Sequence, residues 1–145
     1  MTQKNAIVID DNPANRDFLE RLITQAVFDV QGASSGKAAI SIIESLDHLE
    51  LALVDMELPD INGLQLTQRI RERFPHAYIV VATMHDERTL MEKTFAKGGN
   101  CFLVKPHGFM ELFKRLTTID TSELINAGDI VIDQYGPRKF TFATK

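Results

Sequence analysis

Four short runs of consecutive apolar, β-branched-rich residues limit the folds open to this chain: 6–9, 51–54, 78–82 and 102–104. None alternates polar with apolar positions. Continuous runs of this length are how strands covered on both faces read, and cover on both faces is the habit of parallel sheets lying between helices. A weaker run, 28–33, falls between the first two. Between the runs the apolar residues take helical spacing. Phe18, Leu19, Leu22, Ile23 and Ala26 make one stripe, Ala38, Ala39, Ile42, Ile43 and Leu46 a second, and Phe109, Leu112, Phe113 and Leu116 a third. Helices over 64–74 and 87–97 complete the set, stopped by Pro75 and Gly98. Asn12 before Pro13 reads as an N-cap followed by proline at the first helical position. The pattern is β-α repeated five times, which predicts an α/β fold with a central five-stranded parallel sheet.

A chain of 145 residues, 44% of them hydrophobic, has room for one ordinary domain with a useful core. Its formal net charge of −4 gives no overall pull toward nucleic acid, and no direct nucleic-acid binding is expected. Cys101 is the only cysteine, so no intrachain disulfide can form, which suits a reducing cytoplasm. The first apolar run stops at two aspartates, so no signal peptide is expected. No stretch approaches the length of a transmembrane helix, and no membrane role is expected.

Ligands of open parallel sheets bind beyond the carboxyl ends of the strands. The first strand ends in Asp10 and Asp11, the third in Asp55, the fourth in Thr83, and Lys105 follows the fifth. Each residue alone has an ordinary explanation, because acidic residues form turns and a threonine often ends a strand. Together they bring three carboxylates, a hydroxyl and an ammonium to one edge. Clustered carboxylates repel one another and invite a divalent cation, and Mg²⁺ is a hard ion that prefers oxygen. Asp55 can then attack phosphorus as a carboxylate nucleophile, with positioning and charge stabilisation supplying most of the catalysis. Lys105 can pair with a phosphoryl oxygen and Thr83 can donate a hydrogen bond to another.

These pieces resemble the receiver domain of bacterial two-component response regulators. The matching segments are Val8-Ile9-Asp10-Asp11-Asn12, Leu53-Val54-Asp55-Met56-Glu57-Leu58-Pro59 with Gly63, Val80-Val81-Ala82-Thr83, and Phe102-Leu103-Val104-Lys105-Pro106. The resemblance implies a flavodoxin-like, doubly wound (βα)5 fold. It implies a phosphorylation-dependent switch rather than a turnover enzyme, with Asp55 accepting a phosphoryl group from a histidine kinase or histidine phosphotransfer protein. Asp10, Asp11, Asp55 and the backbone carbonyl of Glu57 would hold Mg²⁺. Thr83 and Lys105 would contact the phosphoryl group, and Phe102 would be the aromatic that reports it to a downstream protein target. Residues 1–118 are expected to form the receiver and 119–145 a C-terminal extension.

Several positions depart from the family pattern. Glu57 and His85 stand where such domains tune phosphoryl lifetime, and Glu57 puts an acidic side chain at the mouth of the site. Met84 is bulky where a small residue is usual, and His107 replaces a frequent aromatic. Asn100 and Cys101 stand where a common dimerising subclass has acidic residues, so that dimer is not assumed and a homodimer stays open. Beyond Leu116 the runs 129–133 and 139–142, separated by Tyr135-Gly136-Pro137, read as a β-hairpin. It faintly resembles the opening strands of a winged-helix DNA-binding domain. The tail can be read as the start of a truncated transcription regulator, as a hairpin docked on its own domain or on a second copy, or as a disordered tail with Arg138, Lys139 and Lys145 as incidental charge. Two further classes each lack a feature they need. A haloacid-dehalogenase-type phosphohydrolase would need aspartate where Glu57 stands. A flavodoxin relative would need a hydroxyl-rich loop where Asp11-Asn12-Pro13 stands.

Overall fold

A computed structural model describes residues 4–141. Along the chain run β1 (Asn5–Ile9), α1 (Pro13–Gln25), β2 (Asp29–Ala33), α2 (Gly36–Ser45), β3 (Leu51–Asp55), α3 (Gly63–Arg73) and β4 (Tyr78–Thr83). There follow α4 (Arg88–Ala96), β5 (Cys101–Val104), α5 (Phe109–Thr118), α6 (Thr121–Asn126), β6 (Ile130–Asp133) and β7 (Gly136–Lys139). The strands lie in the order β2-β1-β3-β4-β5-β6-β7. The five expected strands all pair in parallel. Their continuous apolar character has its physical cause in two cores. Ala52 and Val54 of β3 face a cluster with Ile43, Leu66, Ile70 and Phe95 from α2, α3 and α4. Leu51 and Leu53 of the same strand face Leu19, Ile23, Leu112 and Leu124 from α1, α5 and α6.

The five-stranded expectation is corrected to seven strands. The flavodoxin-like class holds, but β6 adds a sixth parallel strand beyond β5, with Phe102 opposite Val131, and β7 closes the edge antiparallel to β6. The tail is therefore docked on its own sheet. Helix α6 escaped the sequence reading because six residues are too few for a periodic stripe. Its cap was nonetheless legible: the Asp120 side chain accepts the Ser122 N–H at 3.0 Å. The hairpin turn also falls earlier than expected. Asp133 pairs with Gly136, so only Gln134 and Tyr135 form the loop, and the Asp133 carboxylate accepts the Tyr135 N–H at 2.9 Å. This places Pro137 inside β7, tolerable because an edge strand leaves one row of N–H groups unpaired. Phe142 and Lys145 lie outside the described residues. Phe18 is 48% exposed and does not join its predicted stripe; it sits at the rim of the face that Leu19, Leu22 and Ile23 bury.

Among the described residues no helix is long and apolar enough to cross a membrane. Cys101 is fully buried in β5, where desolvation pushes its thiol up to about 12; it is a neutral packing residue.

The docked extension should behave as core. Leu124→Ala, at a side chain 1% exposed, is expected to cost about 2–5 kcal/mol in urea unfolding. Tyr135→Ala, at an exposed loop tip, should stay within about 0.5 kcal/mol. Equal, small effects at both positions would mean that the extension is not packed in solution.

Candidate functional site

The parallel ladders set the site, because they fix where each strand stops relative to its neighbours. Asp55 ends β3 opposite Ala82, and Thr83 ends β4 opposite Val104. The loops leaving the strands are tied to adjacent strands. The Asp10 N–H donates to the Ala33 carbonyl, Met56 N–H to Ala82, and Lys105 N–H to Thr83, at 2.8–3.0 Å. Asn12 caps α1 by accepting the Asn15 N–H at 3.0 Å, as its place before Pro13 suggested. Gly63 is required by close approach: a Cβ there would lie 2.5 Å from the Asp55 carbonyl oxygen and 2.6 Å from Met56 Cα.

Asp10, Asp11 and Asp55 converge, and a carboxylate oxygen from each lies within 4.8 Å of the others. Asp10 and Asp55 are buried while Asp11 is exposed. Lys105 Nζ stands 3.2 Å from Asp55 Oδ1 and 3.7 Å from Asp10 Oδ2. Backbone donors serve both buried carboxylates: Asn12 N–H to Asp10 at 2.9 Å and Glu57 N–H to Asp55 at 3.1 Å. Burial pushes the Asp55 carboxyl above its ordinary range; the Lys105 ammonium and the Glu57 N–H pull it back, and the Asp10 charge pushes it further up. Three converging carboxylates suit a hard divalent cation such as Mg²⁺, which prefers oxygen, so the donor set fits that ion.

The remaining predicted residues are placed unevenly around this centre. Thr83 is fully buried, and its hydroxyl donates to both oxygens of the Glu57 carboxylate, at 3.0 and 3.1 Å. The sequence reading put Glu57 at the mouth of the site but did not foresee this pairing, which depends on two loops meeting. The His85 N–H donates to Thr83 Oγ1 at 3.2 Å, while its imidazole is exposed and lies 3.8 Å from Glu87. Phe102 is not part of the polar cluster; it is wholly buried in β5. Met84 is 74% exposed at the end of β4. Arg16, which the sequence did not single out, donates to the Asp10 carbonyl at 2.8 Å and ties α1 to the site.

The chain is similar to known proteins over most of its length. A family model described as the response regulator receiver domain matches residues 6–117. The response regulator protein PilR of Pseudomonas aeruginosa is 30% identical over 106 residues, covering 73% of this chain and 24% of PilR. The nitrate/nitrite response regulator protein NarL of Escherichia coli is 30% identical over 121 residues, covering 82% of this chain and 56% of NarL. The chain thus spans well under two thirds of these relatives. Among solved structures, a CheY-like receiver domain protein from Methanospirillum hungatei superposes with a TM-score of 0.76 at 20% identity, covering 88% of this chain and all of that one.

Because burial raises the affinity of Asp55 for its proton on folding, ionising it costs more in the folded than in the unfolded chain. The folded state binds more protons than the unfolded state across the window just above the ordinary carboxylate range, so this contribution lowers stability as pH rises. In metal-free buffer at pH 7, Asp55→Asn is expected to raise the melting temperature, and the difference should shrink as pH falls through the carboxylate range. A variant less stable than wild type at pH 7 would contradict this account.

Proposed function

Because this chain belongs to the response regulator receiver domain family, we propose that it is a phosphorylation-dependent switch whose phosphoacceptor is Asp55. The observation that carries the reading is the convergence of Asp10, Asp11 and Asp55 within 4.8 Å, with Lys105 3.2 Å from Asp55. The donor is a histidine kinase or histidine phosphotransfer protein. An Asp55 carboxylate oxygen attacks the phosphorus of a phosphohistidine; the P–O bond forms as the P–N bond breaks, and the imidazole leaves with the donor. Asp10, Asp11, Asp55 and the Glu57 carbonyl would hold Mg²⁺, which when bound neutralises the carboxylates and the incoming phosphoryl oxygens.

The protein's own groups do the rest. Lys105, already between Asp55 and Asp10, pairs with a phosphoryl oxygen. Thr83 turns its hydroxyl from Glu57 toward another phosphoryl oxygen, and Phe102 passes the change to the neighbouring surface. Glu57 withholds the Thr83 hydroxyl in the unphosphorylated state and adds negative charge beside the phosphoryl position, so it tunes phosphoryl lifetime; His85, whose N–H also meets Thr83, is the second such position. The output is protein–protein contact with a downstream target. The chain assists its own phosphorylation and dephosphorylation and does not turn over a separate substrate. Residues 1–118 serve as the receiver and 119–145 as its extension, a division supported by the end of the family match at residue 117.

Beryllofluoride with Mg²⁺ mimics the acyl phosphate and tests the reading directly. Wild-type protein should bind it, Asp55→Asn should not, and Lys105→Ala should bind it roughly tenfold or more weakly, the equivalent of about 1.5–3 kcal/mol for a charged hydrogen bond. No Mg²⁺-dependent response in wild type would sink the proposal. Glu57→Ala should change the dephosphorylation rate of the phosphorylated protein, and an unchanged rate would remove Glu57 from the tuning role.

A further inference from the structure

The phosphoryl chemistry gives no task to the C-terminal strand pair, yet the residues that follow it, Phe140 and Thr141, reach α4. The Phe140 ring lies 4.9 Å from the Phe95 ring of α4, tilted by 35°. The Arg88 guanidinium stands 4.6 Å over the Phe140 ring, and Arg88 also donates to the Thr141 carbonyl. The Phe140 N–H donates to the Asp129 carbonyl at 2.9 Å. Phe140 is half-buried against the cluster that contains Phe95, Phe102 and Val131. Arg88 is the first residue of α4, five residues beyond Thr83. That segment is thinly held: residues 84–89 are all exposed, and Glu87 at the N-cap makes no side-chain capping hydrogen bond.

We infer that the C-terminal strand pair and Phe140 form a clasp that holds the start of α4 in its unphosphorylated position and releases it when Asp55 is phosphorylated. The inference rests on the switch reading above. When Thr83 exchanges Glu57 for a phosphoryl oxygen, the segment from Thr83 to Arg88 is drawn toward Asp55. β6 cannot follow, because its ladder fixes it to β5. Arg88 and Phe140 are therefore carried apart. A cation over a ring and a hydrogen bond to the next carbonyl both need the present spacing. Phe102 acts in the same direction: it is 0% exposed with Val131 opposite it in the ladder, so a swing of its ring meets the clasp. Release would uncover Phe95 and the flank of α4, an apolar surface offered only in the phosphorylated state.

Coupling of this kind is reciprocal, so a clasp that favours the unphosphorylated state must weaken binding of an acyl-phosphate mimic. In the full chain with Mg²⁺, Arg88→Ala and Phe140→Ala should bind beryllofluoride at least about fivefold more tightly than wild type. Phe140→Leu, which keeps an apolar side chain but removes the ring, guards against loss of folding and should bind more tightly too. Arg138→Ala, whose partner is Asp133 on β6, should not differ from wild type. In wild type, beryllofluoride should lower hydrogen-exchange protection over residues 139–141 and the first turn of α4, while β6, held by its ladder to β5, keeps its protection. Equal or weaker binding by the Arg88 and Phe140 variants, or unchanged protection on saturation, overturns the clasp alone. Failure of wild type to bind beryllofluoride overturns the clasp together with the Asp55 reading.

Discussion

Two nearly buried carboxylates share one ammonium in this protein, and much of the fold serves that arrangement. Asp10 and Asp55 would repel each other in a dry pocket. Lys105 reaches both, and the N–H groups of Asn12 and Glu57 each bind one carboxylate. Such a cluster forms only if β1, β3 and β5 deliver their last residues to the same edge. The parallel ladders enforce this, and the apolar cores on both faces hold the ladders in register. Neutralisation is still incomplete: burial wins over Lys105 and pushes the Asp55 carboxyl upward. The site is thus held together by contacts that leave room for further positive charge.

The extension alters the neighbourhood of that site without touching its chemistry. With β6 in place, β5 is an interior strand and Phe102 is sealed within the sheet. Asn100 also turns inward, accepting from Arg71 at 2.6 Å and from the Ile79 N–H at 2.8 Å. The new edge strand, β7, is four residues long and carries Pro137, Arg138 and Lys139, features that discourage pairing with another chain. The segment that closes the sheet is also the one that meets α4.

Legibility in the sequence followed the range of the interactions. Strands 51–54 and 78–82 were readable because both faces are apolar and the runs are short and lie between turn signals. The Asn12 cap was readable because it acts over three residues. Phe18 was misplaced because a stripe's rim cannot be told from its centre without knowing what packs against it. The hairpin turn was misplaced because Gly136-Pro137 looks like a turn, whereas pairing with β6 sets the actual loop at Gln134 and Tyr135. The Glu57–Thr83 hydrogen bond spans 26 residues, and nothing local announces it.

The sequence by itself determined the alternation of elements and the residues at the strand ends, because burial on both faces and turn chemistry are written in neighbouring positions. Those local signals put Asp10, Asp11, Asp55, Thr83 and Lys105 at one edge. Only the tertiary structure decided how those residues share charge, which partner occupies the Thr83 hydroxyl, and where the tail goes. These depend on distances between segments far apart in the chain, and on the pairing of β6 with β5 and the packing of Phe140 on α4, which no neighbouring positions announce.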